Sequence, residues 1–404
     1  MRILTIAASL PAPGAPAYGV DAVFAPIVRH LVDAGHDVWV LTVESASVPS
    51  AGAPTVWPWL IRDCPDPDVL PAQWTATHKL QYLWKMRRNY RATRRALRLS
   101  KPDVVYYSDL GLLTAAPVGA VEDAGHPGVF HAHDWYALDL LEGARQPTPD
   151  GGVKGMVLSW AQRGRRPVTI GGARLLANSH YVMDRYVEAG WLPEMAMLVY
   201  NGIGDQFFVE RQRDEPQQRS VLFAGRCVPD KGLHVAVEAL GNVVARHSDV
   251  ELHAIGTFRD DAYRRTVEAA AKAHGVADRL VFRGYVPRDD MPAEYSRHLC
   301  TVVPSLWDEP FGLVSVESQA AGTPAIVSRR GGLPETVRDG ETGIAVEPGD
   351  ATALAEAIGR LLSDGALWGH MSRAGAEFVR DQFRIEDTCA RVEQHLRAAA
   401  DAGA

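Results

Sequence analysis

Apolar positions along this chain alternate between two rhythms. Short, continuous apolar runs suited to buried strands are followed by stretches where apolar residues recur every three or four positions, as on one helix face. In the first half the strand pattern covers residues 2–7, 37–42, 103–107, 128–131 and 175–177, with a helix over 22–34. The pattern restarts at 221–224 and leads into a helix from about residue 231, where Leu233, Val237, Leu240 and Val244 share a face. Strands over 250–255, 280–282, 301–303 and 325–327 come next, with helices between them, and the chain closes on helical patterns at 366–382 and 386–400. Repeated strand–helix alternation predicts α/β architecture with parallel sheets. The polar stretch 205–220 lacks either period and reads as a linker. Residues 44–78, rich in Pro, Trp and small side chains, read as a long loop. The expected division is 1–204, the linker 205–220, 221–385, and a last helix 386–404, making two similar Rossmann-like halves that face a central cleft.

Composition narrows the function. At 404 residues the chain is too long for one ordinary core. A net charge of −7 and a pI near 6.1 argue against a general nucleic-acid binder. Cys64, Cys227, Cys300 and Cys389 lie far apart, which excludes a CxxC site and favours a reducing cytoplasm over a disulfide framework. The apolar start, residues 1–8, reads as a first buried strand and not as a signal peptide, because polar and Pro-rich sequence interrupts it. No uncharged apolar run reaches the roughly 18 residues of a membrane span. Residues 79–101 hold nine basic side chains and no acid, on an amphipathic helical pattern. That stretch reads either as a solvated face or as a contact for anionic lipid or a phosphorylated acceptor. Without a hydrophobic anchor, membrane contact is not expected.

The segment Glu309-Pro310-Phe311-Gly312-Leu313-Val314-Ser315-Val316-Glu317 carries the most chemistry. A loop turning into a helix there would put Glu309 at a cleft mouth. The amides of Phe311, Gly312 and Leu313 would form a helix N-terminus fit for phosphate, with Glu317 about one and a half turns on. Upstream, Arg226 and Lys231 stand five residues apart in a strand-to-helix loop, where fixed cations can neutralise a departing diphosphate. Phe130-His131-Ala132-His133-Asp134-Trp135 comes after a predicted strand but lacks zinc-site spacing.

Together with Gly331-Gly332-Leu333-Pro334-Glu335, these motifs resemble retaining, nucleotide-sugar-dependent glycosyltransferases of family 4, glycogen synthases among them, which have the GT-B fold. The resemblance implies an acceptor-binding first domain, a donor-binding second domain and a last helix that crosses back onto the first. It gives Arg226 and Lys231 the diphosphate, Glu309 the sugar hydroxyls and Glu317 the ribose. His133 matches a histidine that contacts the donor sugar, with His131 as the second candidate, and Asn201 matches an asparagine with the same contact. Gly19 stands for the family's usual Gly-Gly pair. In the segment that usually reads His-x-His-Asp, Tyr106 and Ser108 replace the histidines and Asp109 remains as a candidate acceptor residue. Asp21 is a second acceptor candidate. The implied reaction moves a hexosyl group from a nucleoside-diphosphate sugar, UDP-linked by expectation, to an acceptor hydroxyl with retention and an α linkage, and without metal or cofactor. The alternatives are a phosphorylase or ring-coupling relative, a nucleotide-sugar epimerase, and a silent nucleotide-sugar binding protein.

Overall fold

The computed structural model describes residues 1–10, 19–43, 54–61, 76–108, 110, 113, 115–135, 137, 138, 173–209, 216 and 218–403. The chain divides into two compact units, Met1–Val199 with Thr388–Ala404, and Tyr200–Asp387.

The first unit runs β1 (Arg2–Ile6), α1 (Asp21–Asp33), β2 (Asp37–Leu41), β3 (Thr55–Trp57), α2 (Ala76–Ser100), β4 (Val104–Ser108), α3 (Ala116–Glu122), β5 (Gly128–Ala132), β6 (Arg174–Ala177), α4 (His180–Glu188) and β7 (Ala196–Leu198). Every strand pairing is parallel, in the order β3-β2-β1-β4-β5-β6-β7. β4 and β5 are buried along their whole length, as expected of central parallel strands covered on both faces. In α1 the residues Val23, Phe24, Ile27, Val28 and Leu31 point inward. The N-terminus of α4 is fixed by Ser179, whose Oγ accepts from the Val182 amide.

The second unit runs β8 (Ser220–Ala224), α5 (Leu233–Val244), β9 (Glu251–Ile255), α6 (Asp261–Ala273), β10 (Leu280–Gly284), α7 (Met291–Arg297), β11 (Cys300–Val303), α8 (Leu313–Ala320), β12 (Ala325–Ser328), β13 (Gly343–Val346), α9 (Ala351–Ser363) and α10 (Gly365–Gln382). Its sheet is also parallel, ordered β10-β9-β8-β11-β12-β13. Asp260, Asp350 and Asp364 cap α6, α9 and α10. In both sheets the strand order reverses beside the first strand of the unit, between β1 and β4 and between β8 and β11, which is where such sheets bind ligands.

The expected elements appear within a few residues of the predicted ranges. β3, β7, β13, α3, α4 and α9 were not anticipated. The unit boundary falls at Val199/Tyr200, upstream of the expected linker. Residues 205–209 belong to the second unit, where Phe207 is fully buried against Leu222 and Tyr295. Of the expected loop 44–78, residues 54–61 contribute β3 and a stacked Trp57–Trp59 pair with centroids 4.8 Å apart. Residues 44–53 and 62–75 lie outside the described part, as do 210–215 and 217. The basic stretch forms most of α2. Met86, Asn89, Thr93, Ala96 and Leu97 are buried, while Arg87, Arg88, Arg91, Arg95 and Arg98 are exposed beside Leu80 and Trp84. Among the described residues no helix is long and apolar enough to cross a membrane. The described cysteines, Cys227, Cys300 and Cys389, are buried thiols.

A last helix, α11 (Ile385–Gly403), returns the chain to the first unit, which contains its residues from Thr388 onward. Glu393 holds it there. Its carboxylate lies 2.8 Å from His30 Nε2 and 3.0 Å from His36 Nε2, and it accepts from Arg397 at 2.6 Å. Burial opposes ionisation of Glu393, but hydrogen bonds from His36, Arg397 and His30 hold its carboxyl down at about 2. A depressed carboxyl stabilises fully above its unfolded pKa, and the stabilisation is lost as pH falls through the folded value. Glu393→Gln should therefore cost about 1–2 kcal/mol at neutral pH, less than full linkage because solvent screens the site. Denaturant midpoints should show this gap between variant and wild type closing as pH falls from about 4.5 towards 2. A gap that stays constant with pH would mean the charge is not what anchors the helix.

Candidate functional site

At the carboxyl edge of the second sheet, β8 is followed by Gly225 and Arg226. Backbones crowd together here. A Cβ on Gly256 would sit 1.8 Å from the Gly225 carbonyl oxygen, and the Cys227 amide donates to the Thr257 carbonyl. Arg226 is exposed, and no described carboxylate pairs with it. The loop then makes a short turn over Pro229–Lys231 and enters α5 through Gly232, at φ +72°. Only glycine fits this position, since a Cβ would meet the Pro304 carbonyl oxygen at 2.0 Å. The Leu306 amide donates to the Asp230 carbonyl at 2.8 Å. The β8 loop is thus sewn to the chain leaving β11, and Lys231 is aimed at the acid carried by that segment.

The acid is Glu309, 7 % exposed. Its Oε1 accepts from Lys231 Nζ at 2.5 Å and from Ser305 Oγ at 2.5 Å. Lys231 Nζ also lies 5.1 Å from the centre of the Trp307 ring, within cation–π range. The Gly331-Gly332 pair grips the Glu309 backbone. The Gly332 amide donates to the Glu309 carbonyl at 2.7 Å, and Gly331, at φ +58°, passes so close that a Cβ would sit 2.3 Å from the same oxygen. Two glycines 22 and 23 residues downstream therefore set the backbone of the acid.

Beyond Glu309, Phe311 turns its ring inward against Tyr200 and Phe383, with centroids 5.8 and 5.5 Å away, so only its backbone faces the site. Gly312, at φ +124°, caps α8. The first amides of α8, beginning at Leu313, have no partner within the helix and carry the positive end of its dipole. A buried network fixes the helix against the turn Leu333–Thr336, with Gln319 Nε2 donating to the Thr336 carbonyl and Thr336 Oγ1 to Ser315 Oγ.

Glu317 lies inside α8 and is buried. Arg288 Nη2 stands 2.6 Å from its Oε1, and the Tyr295 hydroxyl donates to its Oε2 at 3.0 Å. Burial raises the Glu317 carboxyl above the usual range, against the opposing pull of Arg288 and Tyr295. In this state the carboxylate is committed to those two side chains.

In the first unit, His131 and His133 sit at the carboxyl end of β5, their rings 4.1 Å apart. Tyr106 Oη lies 2.8 Å from His131 Nδ1, and Ser108 Oγ lies 3.2 Å from His133 Nε2. Asn178 Nδ2 donates to the His133 carbonyl at 3.0 Å. Burial, then the neighbouring His133, push the His131 imidazole well below its ordinary pKa, so it is neutral. Ser9 Oγ donates to Asp21 Oδ1 at 2.7 Å, at the start of α1. Gly19 has φ +55° in open space, so its backbone geometry, and not a crowding neighbour, calls for glycine. Asp109 lies outside the described residues.

Asn201 is buried in the second unit. Its neighbours Gly202 and Ile203 run beside Arg384 and Ile385, and the Ile203 amide donates to the Phe383 carbonyl.

Of the residues expected at a donor site, the structure joins Lys231 to Glu309 and places the Phe311–Leu313 backbone directly after them. Arg226 stands at the strand end, exposed, and Glu317 faces inward. Sequence reasoning missed Ser305, Trp307, Arg288 and Tyr295. A polar Ser305 at the exit of an apolar strand, four residues before the acid, was a readable signal. Arg288, 29 residues from its partner Glu317, left none.

Known proteins show the same organisation. The family described as "Glycosyltransferase Family 4" matches residues 18–207, and "Glycosyl transferases group 1" matches residues 205–378. D-inositol 3-phosphate glycosyltransferase of Acidothermus cellulolyticus is 41 % identical over 155 residues, covering 36 % of this chain and 34 % of that protein. The chain spans about a third to a half of the length of the first curated relatives it matches. Glycogen synthase of Mycobacterium tuberculosis is 28 % identical over 394 residues, covering 91 % of this chain and 88 % of that protein. Among solved structures, HepE of Anabaena, in complex with UDP and glucose, superposes with a TM-score of 0.71 at 19 % identity over 98 % of this chain and 99 % of its own. Sucrose-phosphate synthase of Thermosynechococcus elongatus does so with a TM-score of 0.70 at 22 % identity, over 99 % of both chains. With two parallel-sheet units matched in sequence one after the other, the chain belongs to the family 4 glycosyltransferases of GT-B fold.

Proposed function

We propose that this chain transfers a hexosyl group from a nucleoside-diphosphate sugar, with UDP as the favoured nucleotide, to an acceptor hydroxyl, retaining configuration and forming an α-glycosidic bond. The observation that carries this reading is the Lys231–Glu309–Ser305 cluster next to the amino end of α8. It sets a cation, a buried acid and a row of outward amides at one sheet edge. That is the arrangement a sugar diphosphate needs, with hydroxyls to bind at one end and growing negative charge at the other. The UDP preference draws on HepE, a protein of the same fold solved with UDP and with UDP-glucose.

Lys231 has three ammonium protons, and Glu309 engages one. The others can meet the diphosphate, with Arg226 and the α8 amides taking the rest of its charge. Glu309 accepts hydrogen bonds from the sugar hydroxyls and stays a spectator to bond breaking. Retention then results from same-face displacement. The sugar–phosphate bond breaks, the acceptor oxygen attacks the anomeric carbon from the side the phosphate leaves, and the β-phosphate oxygen takes the acceptor proton. His133 contacts the donor sugar in this scheme, and the cations serve where other transferases use a metal. Ribose binding by Glu317 requires it to release Arg288 or to share it.

NMR of the product formed from an α-linked UDP-sugar tests the reading, since an α anomeric signal is expected and a β signal would refute retention. Glu309→Gln should keep nucleoside-diphosphate affinity and lose turnover, because the missing contact is to sugar. A variant that turns over like wild type would remove Glu309 from the site. Arg226→Ala and Lys231→Ala should each lower kcat/KM by about 2–4 kcal/mol of transition-state stabilisation, as loss of an oxyanion donor does. Wild-type activity should persist in EDTA, and an absolute need for added Mg²⁺ would overturn the metal-free scheme.

A further inference from the structure

We propose that Arg288 and Tyr295 are positioning residues for nucleotide recognition. Arg288 gives the buried Glu317 a counter-charge without a hydrogen bond, which leaves Glu317 Oε1 able to accept from a ribose hydroxyl. Arg288 comes from the turn Arg288–Asp290 after β10, Tyr295 from α7 and Glu317 from α8, all in the second unit. That Glu317 meets a ribose rests on the function proposed above.

The two oxygens of Glu317 are served differently. The Tyr295 hydroxyl donates to Oε2 at 3.0 Å. Tyr295 is fully buried and keeps its proton, since burial first, then Glu317, raises its pKa well above the ordinary value. Arg288 Nη2 stands 2.6 Å from Oε1, yet the contact is an ion pair without hydrogen-bond alignment. Oε1 is buried and has no hydrogen-bond partner among the described residues. An ionised carboxylate has about four lone-pair sites, and leaving a buried acceptor unused is costly. Oε1 therefore holds acceptor capacity that the fold does not consume, on the helix whose first amides suit a diphosphate. In a nucleoside diphosphate the ribose is the next group along, and its hydroxyls are donors.

Two features argue that Arg288 stays when the ribose arrives. Its guanidinium lies 4.8 Å from the centre of the fully buried Phe207 ring, which gives it a second anchor. Its departure would also strand a carboxylate beside the apolar core of Tyr295, Val316 and Ala320. The charged and titratable groups bearing on Glu317 are Arg288 and Tyr295, and both oppose the rise that burial imposes on its carboxyl. Oε1 is closed to water in this state. The hydroxyl enters as the Arg288 head, 18 % exposed against 5 % for Glu317, shifts along the Phe207 face.

Calorimetric binding of UDP, 2′-deoxy-UDP and 3′-deoxy-UDP to the full chain tests this, with the GDP series in parallel. The readout is the ratio of deoxy to ribose Kd, which cancels what the ligands share, their titrating phosphates included. Wild type should discriminate roughly tenfold or more against at least one deoxy form, the size of a hydrogen bond to a charged group. That ratio should stay flat from mildly acidic to mildly alkaline pH. In Arg288→Gln the missing cation lets the Glu317 carboxyl rise further and take up a proton. Its ratio should fall to near one at mildly acidic pH and recover as pH rises. Glu317→Gln should stay near one at every pH, Arg288→Lys should keep most of the wild-type ratio, and Tyr295→Phe should lower it part of the way. Should Arg288→Gln fail to fold, the other three variants and wild type still decide. A wild-type ratio of one, a ratio lost in Arg288→Lys, or an Arg288→Gln that weakens ribose and deoxy ligands alike would overturn the proposal and leave the transfer reaction standing. Wild type that binds neither UDP nor GDP would overturn both.

Discussion

Glu309 is a carboxylate taken almost out of water, and that constraint organises the second unit around it. A buried charge is costly unless it is paired and hydrogen-bonded. Lys231 and Ser305 supply the partners from two different strand exits, and Gly331-Gly332 supplies backbone contact from a third. Each loop is in turn tied down, by Gly232 against Pro304, by the Leu306 amide on Asp230, and by the Gln319 and Thr336 network behind α8. Removing one member of a fully buried pair strands the other, at about 3–5 kcal/mol, and the partial exposure of Lys231 lowers that cost here. The same three loops therefore carry both the stability of this sheet edge and its chemistry, and substitutions here need a stability measurement beside a rate.

Much of this was legible before any coordinates. The strand–helix rhythm marked two parallel sheets because central parallel strands are apolar on both faces and leave unbroken runs. Lys231 and Glu309 were legible as types in a pattern, and so was the Gly331-Gly332 motif, though not its grip on the Glu309 backbone. Other features were not. β3 and β7 are three-residue edge strands without a buried residue, so neither leaves a buried apolar run to read. α9 did leave a signal, an Asp350 cap ahead of Leu354, Ala355, Ile358 and Leu361 at helical spacing. The inward commitment of Glu317 was hidden, since Arg288 and Tyr295 reach it only through the tertiary fold. The start of the expected linker is part of the second unit's core, because Phe207 is packed there behind a polar stretch of sequence.

Tyr106 and Ser108 show how a departure from a motif can be read. By sequence they look like the loss of two histidines from a familiar segment. In the fold they partner the two histidines that remain, strand against strand, and leave no hydroxyl of the four side chains idle. A substitution that looks like the weakening of a site can instead move its hydrogen bonding onto a neighbouring strand.

The return of α11 also bears on how the protein is made. The first unit holds residues 1–199 but is completed by 388–404, so a ribosome must produce the whole second unit before the first can close. Domains fold as units while the chain emerges. Here Tyr200–Asp387 is continuous and can fold as it emerges, whereas the earlier-made unit must wait with His30 and His36 unmatched until Glu393 arrives. Order of synthesis and order of completion are reversed, and a truncation that removes residues 388–404 will be felt in the unit built from residues 1–199.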